Sequence, residues 1–129
     1  MPEVEPVVVH ESDVPLEGGE GAFEGVTWRT LISGDRTPTA ALTVGVADVP
    51  PGHPGQGGLH RHEPAEIYYV LEGEGTMVIG DAEHPLRAGS AVFVPPNAWH
   101  LARNTGAGTL RILYAFPTDS FGDVTYEWR

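Results

Sequence analysis

At 129 residues the chain is long enough for one hydrophobic core, and it has no cysteine, so disulfide staples, thiolate metal sites and cysteine nucleophiles are excluded. All seven of its cations are arginine, which removes Schiff-base chemistry and a phosphate-binding lysine. A formal charge of -11 argues against a nucleic-acid partner, because affinity for a phosphate backbone rests on cations.

Much of the acidity comes first: Glu3, Glu5, Glu11, Asp13, Glu17, Glu20 and Glu24 all precede the first arginine, Arg29. Residues 1–25 read as an acidic N-terminal arm or edge strand, and residues 26–129 as a barrel. No run approaches the roughly 18 apolar residues that a membrane span needs. The start lacks a basic stretch followed by an apolar one, so no secretory leader is expected and a cytoplasmic location is the simplest placement. With 17 Gly and 12 Pro spread along the chain, helical periodicity never persists for three turns. Enrichment in β-branched and aromatic residues predicts strands at 26–33, 39–49, 66–72, 75–80, 83–87, 91–94, 98–103 and 109–116. Glu72-Gly73-Glu74-Gly75 and Gly80-Asp81 read as hairpin turns, and the Pro- and Gly-rich segment 50–58 as a loop. Short strands of even spacing favour an all-β sandwich or barrel.

The chemistry concentrates around one strand. His60 and His62 alternate in extended chain, so both imidazoles can face one point, although a lone His-x-His pair is weak as a metal signal. Even spacing then places Glu66, Tyr68 and Val70 on one face of the next strand, with Ile67, Tyr69 and Leu71 on the other. A carboxylate and a phenol turned into a barrel are costly to bury alone, and coordinating a metal removes most of that cost.

The run from His60 to Gly73 reads H-x-H-x3-E-x6-G, and a second run through Gly89, Pro95, His100 and Asn104 reads G-x5-P-x4-H-x3-N. These resemble the two signature motifs of the cupin superfamily. The resemblance implies an all-β, single-domain cupin barrel of the double-stranded β-helix or jelly-roll kind, with His60, His62, Glu66 and His100 as metal ligands and Gly73, Gly89 and Pro95 as turn residues. Pro54, beside Gly55, and Asn97 stand where the family has glycine; Asn tolerates left-handed backbone, so that turn can survive. His10, His53 and His84 fall outside the motifs and read as solvated loop histidines. Three imidazoles and a carboxylate suit one divalent ion of Fe, Mn, Zn, Ni or Co.

Further motifs narrow the neighbourhood. Pro64-Ala65-Glu66-Ile67-Tyr68-Tyr69-Val70, Asn97-Ala98-Trp99-His100, and Phe116-Pro117-Thr118-Asp119-Ser120-Phe121 with Val124 and Tyr126 resemble small single-domain cupins that include dimethylsulfoniopropionate lyases. That resemblance implies a metal-bound substrate carboxylate, Tyr68 as the base that removes the adjacent proton, and Tyr126 as a second tyrosine closing over the site. Dimethyl sulfide and acrylate would be the products. Trp28, Trp99 and Tyr114 read as core or interface, although aromatic faces would suit a sulfonium cation. An Fe(II)-dependent dioxygenase, another metal-assisted rearrangement or isomerisation, and a non-enzymatic ligand-binding cupin remain as other readings. A DNA-binding regulator would need a helix-turn-helix, for which the chain has no helical pattern. A homodimer is expected from the family and from Val7-Val8-Val9, which could pair across an interface.

Overall fold

The computed structural model describes residues 3–55 and 58–129. Two antiparallel sheets face each other, and among the described residues helix is confined to three single 3-10 turns. None of these is long and apolar enough to cross a membrane. The first sheet, in spatial order, holds β1 (Glu17–Gly18), β2 (Thr27–Ile32), β3 (Thr43–Val49), β10 (Leu110–Phe116), β5 (Glu66–Glu72) and β8 (Ala91–Val94). The second holds β11 (Glu127–Trp128), β4 (His60–Arg61), β9 (His100–Asn104), β6 (Glu74–Ile79) and β7 (Ala82–Arg87). This is the all-β barrel that the strand spacing predicts.

Alternation explains which residues fill the interior. Along β10, Leu110, Ile112, Tyr114 and Phe116 are buried at every second position. Along β5, Glu66, Tyr68 and Val70 point inward, while Ile67, Tyr69 and Leu71 are exposed. Val26, Val49, Met77 and Val94 complete a core with no exposed surface, so the barrel is a packed solid except near the inward polar residues.

The structure departs from the predicted elements at identifiable places. β3 begins at Thr43 rather than 39, because Ala41 takes a left-handed φ of 72 and its N–H donates to Asp119 Oδ1 at 2.7 Å, which holds the preceding residues as a loop. The segment Glu72-Gly73-Glu74-Gly75 is not a hairpin. β5 and β6 lie in different sheets, and Gly73, at φ 90, is the corner where the chain crosses between them. A Cβ at Gly73 would collide with the Thr109 carbonyl, so glycine is required on both counts. Gly80-Asp81 is a two-residue hairpin turn joining the paired β6 and β7, as expected.

Candidate metal centre

Three strands bring the inward polar residues to one point. β5 starts with Glu66, β9 starts with His100, and His62 follows β4 directly. His60 pairs with His100 across β4 and β9, which sets the two imidazoles side by side with ring centroids 4.3 Å apart. The turn before β9 is held by Asn97, in the left-handed region at φ 62, whose N–H donates to the His62 carbonyl at 2.8 Å. The replacement of glycine by asparagine there is therefore accommodated, and the same turn ties His100 to His62.

Each of the three imidazoles is oriented by its own backbone. His60 Nδ1 donates to the Gly58 carbonyl at 3.1 Å, His62 Nδ1 to Pro64 at 2.8 Å and His100 Nδ1 to Ala98 at 2.8 Å. A carbonyl can only accept, so Nδ1 carries the proton in all three rings and Nε2 is the atom left for a ligand. Nε2 of His62 and of His100 lie 3.1 and 3.3 Å from Glu66 Oε1. These three side chains are buried, and their donor atoms lie within 4.8 Å of one another, so they could hold a metal ion. His60 is equally buried but stands beside His100, outside that trio.

The electrostatics fit a cation. Burial pushes the Glu66 carboxyl upward, but His100 and His62 outweigh it and hold the group below its ordinary value. Burial also works against a charged His62, yet the Glu66 carboxylate prevails and raises it above 6.5. Both of its nitrogens face acceptors, which favours the charged ring, and a divalent cation would take the place of an Nε2 proton. His100 Nε2, though near Glu66, lacks hydrogen-bond alignment and has no partner among the described residues. A buried imidazole nitrogen aimed at a carboxylate without an aligned hydrogen bond is the donor chemistry of a borderline divalent ion. Burial, reinforced by His100, depresses His60 to about 4, so it is neutral near pH 7.

Two phenols border the trio. Tyr68 points inward with its ring centroid 6.1 Å from that of His100; Tyr126 reaches His62 at 5.3 Å and His60 at 5.4 Å. Burial, then Glu66, raises both phenols well above 10. Trp128 packs over His60 at 5.0 Å and stacks on Tyr126, while Arg61 and Arg129 sit over Trp99. Phe23, which sequence reasoning passed over, and Phe121, which it quoted in a motif without giving it a role, also border this region, each edge-on to Tyr126. Neither belongs to a metal motif or a long strand, so no periodic signal marks them.

Of the histidines outside the motifs, His10 and His84 are exposed, as expected, and His53 is not. His53 is half-buried: Nε2 donates to the Glu24 carbonyl at 2.6 Å, and Nδ1 accepts from Gly55 N. His10 caps the 3-10 turn Glu11–Asp13. His84 is exposed, but on β7 rather than in a loop. Asn104, by contrast, is buried as a three-bond brace: its amide donates to the Val49 and Gly108 carbonyls and its oxygen accepts from Gly106 N.

Comparison with known proteins converges with this geometry. Residues 45–116 match the cupin-domain family. The chain is 38% identical over 124 residues to dimethylsulfoniopropionate lyase DddW of Ruegeria pomeroyi, spanning 95% of this chain and 80% of that protein. It is 32% identical over 114 residues to an oxalate-binding protein of Thermotoga maritima, spanning 83% and 90%. The polyketide cyclase RemF of Streptomyces resistomycificus superposes with a TM-score of 0.74 at 26% identity, covering 91% of this chain and 82% of that one. Matched over more than half its length by the family's own pattern, and carrying the barrel and the convergent His and Glu side chains, the chain belongs to the cupin family.

Proposed function

We propose that this cupin is a metal-dependent lyase that cleaves dimethylsulfoniopropionate to dimethyl sulfide and acrylate. The observation that carries the reading is the buried trio of His62, Glu66 and His100 with Tyr68 on the same inward face, in a chain 38% identical to a lyase of that substrate. His60 joins the trio as fourth ligand, since its Nδ1 is already committed to a carbonyl and its neutral ring lies against His100. One divalent ion of Fe, Mn, Zn, Ni or Co held by these residues would supply positive charge for binding the substrate carboxylate and would favour ionised forms nearby.

Tyr68 is the base. Its oxygen takes the proton from the carbon next to the carboxylate; the C–H electrons form the new double bond, and the C–S pair leaves on sulfur. A phenol raised by burial and by Glu66 is a poor base alone, so activity depends on added positive charge at the trio. Tyr126 covers the other side of the imidazoles and excludes water. Replacing Tyr68 by Phe is expected to lower acrylate formation at least a thousandfold with metal content unchanged; retained turnover would remove Tyr68 from this role. Metal-loaded wild-type protein that yields no acrylate from dimethylsulfoniopropionate would overturn the substrate assignment.

Residues 1–25 form an acidic arm or edge strand on the barrel of residues 26–129, in a cytoplasmic homodimer; β1, at the sheet edge, supports the edge-strand form. The exposed apolar row Ile67, Tyr69, Leu71 and Phe93 supports a second copy as partner. Light scattering that gives a monomer mass at micromolar concentration would refute the dimer.

A further inference from the structure

Beside the trio lies a cavity that the metal ligands do not use. It measures ≈ 280 Å³ including the solvent at its mouth, and its lining is Phe23, Trp28, Ala47, Tyr114, Phe121 and Tyr126. Four of these rings form a closed circuit. Phe23 meets Trp28 at 5.1 Å, Trp28 meets Phe121 at 6.2 Å, Phe121 meets Tyr126 at 6.4 Å and Tyr126 returns to Phe23 at 5.8 Å. The four interplanar angles are 69, 87, 83 and 89°, so successive walls stand nearly at right angles, as in a box. Tyr126 belongs to this box and also to the shell around His62 and His60.

The lining contains no formally charged side chain, which excludes recognition by an ion pair. Perpendicular aromatic walls instead present the negative faces of their π systems, the surface that holds a methylated cation lacking N–H donors. The hydroxyl of buried Tyr114 has no hydrogen-bond partner among the described residues and lies over Gly45, outside the lining, so Tyr114 contributes through its ring. Trp28 Nε1, also without a partner, is a donor and contributes through its ring alone.

We propose that this aromatic box is the subsite for the methylated onium end of the substrate, with Phe23 and Phe121 as specificity-determining residues. The proposal rests on the lyase reading, in which the carboxylate end goes to the trio. It also assigns a task to the acidic arm, which supplies Phe23 as one wall. The enclosed part has room for about one water, so a wall must yield on binding. Phe23 ends a single 3-10 turn, Gly21–Phe23, that has no side-chain cap; its N–H donates to the Glu20 carbonyl and its own carbonyl accepts from Val26 N.

The test compares two carboxylates that scarcely differ in shape: β-alanine betaine, whose onium end is a poor leaving group, and its isostere in which an uncharged tert-butyl replaces the onium. Calorimetric titration of the metal-reconstituted full chain is expected to show the onium binding roughly tenfold or more tightly. Phe23→Leu and Phe121→Leu should each reduce that ratio about threefold, because leucine keeps apolar bulk for both ligands and removes the π face that only the cation feels. Equal binding of the two ligands by wild-type protein would overturn the proposal, as would a ratio that survives both substitutions. A preserved onium preference without acrylate production would sink the lyase reading and leave the box standing; acrylate production without the preference would do the reverse.

Discussion

Removing the metal should lower thermal stability by an amount that can be worked out in advance. The trio exists only in the folded chain, because His62, Glu66 and His100 are assembled from β5, β9 and the residue after β4. A cation that binds the folded state alone, at a hundred times its dissociation constant, contributes about 2.7 kcal/mol. Unfolding entropy of about 2.1 cal/mol/K per residue amounts to about 0.27 kcal/mol/K for this length. The melting temperature should therefore rise by about 10 °C. The assay is differential scanning fluorimetry of chelated protein against protein reconstituted separately with Fe(II), Mn(II), Zn(II), Ni(II) or Co(II). The shift should grow as pH rises through the pKa of His62, held above 6.5 in the metal-free chain, because the cation must displace its Nε2 proton. His100→Ala should abolish the shift, whereas Tyr68→Phe should retain it. Chelated and reconstituted proteins that melt together with all five metals would refute the metal site.

Asn104→Ala removes three hydrogen bonds at about 1 kcal/mol each, so denaturant unfolding should report a loss of about 3 kcal/mol, and a loss below 1 would mean that water replaces the brace. Gly73→Ala combines a left-handed φ with a backbone collision and should cost at least about 2 kcal/mol by the same measurement; a neutral result would place the corner elsewhere. In metal-free protein, His60 titrates near 4 against an ordinary 6.5, so the unfolded chain binds the extra proton first. Stability from this residue is intact above 6.5 and lost as pH falls toward 4, by about 3 kcal/mol for a shift of about 2.5 units, partly offset by His62, which shifts the opposite way. His60→Asn should flatten this slope in chelated protein, and a slope that persists unchanged would assign it to other groups.

How much of this was legible in the residues depends on how local the determinant is. β5 was read with both of its ends correct, because strict alternation from Glu66 to Glu72 is a short-range pattern. β1, β4 and β11 were invisible, since two residues cannot alternate detectably and their pairing is set by distant partners. The corner at Gly73 was misread for a related reason: a glycine between two strands looks the same whether they pair or part into separate sheets. The spacing of His62, Glu66 and His100 was legible, but the Nδ1 bonds to Gly58, Pro64 and Ala98 that aim the rings were not, because any residue can supply a carbonyl. Phe23 and Phe121 reach the site from segments with no periodicity, so only tertiary packing reveals the box.

The position of β10 carries a consequence for how the chain comes together. In the six-stranded sheet it is the link between two halves, β1 to β3 on one side and β5 with β8 on the other. It pairs residues 43–49 with 110–116, and 67–72 with 111–115. Until that strand emerges during synthesis, β3 and β5 lack the partner that joins them. Such late closure through distant partners slows folding and leaves strand edges open to wrong pairing in the interval. A ribosome-bound chain arrested before Leu110 should therefore be protease-sensitive throughout, and the site would be among the last parts of the molecule to become real.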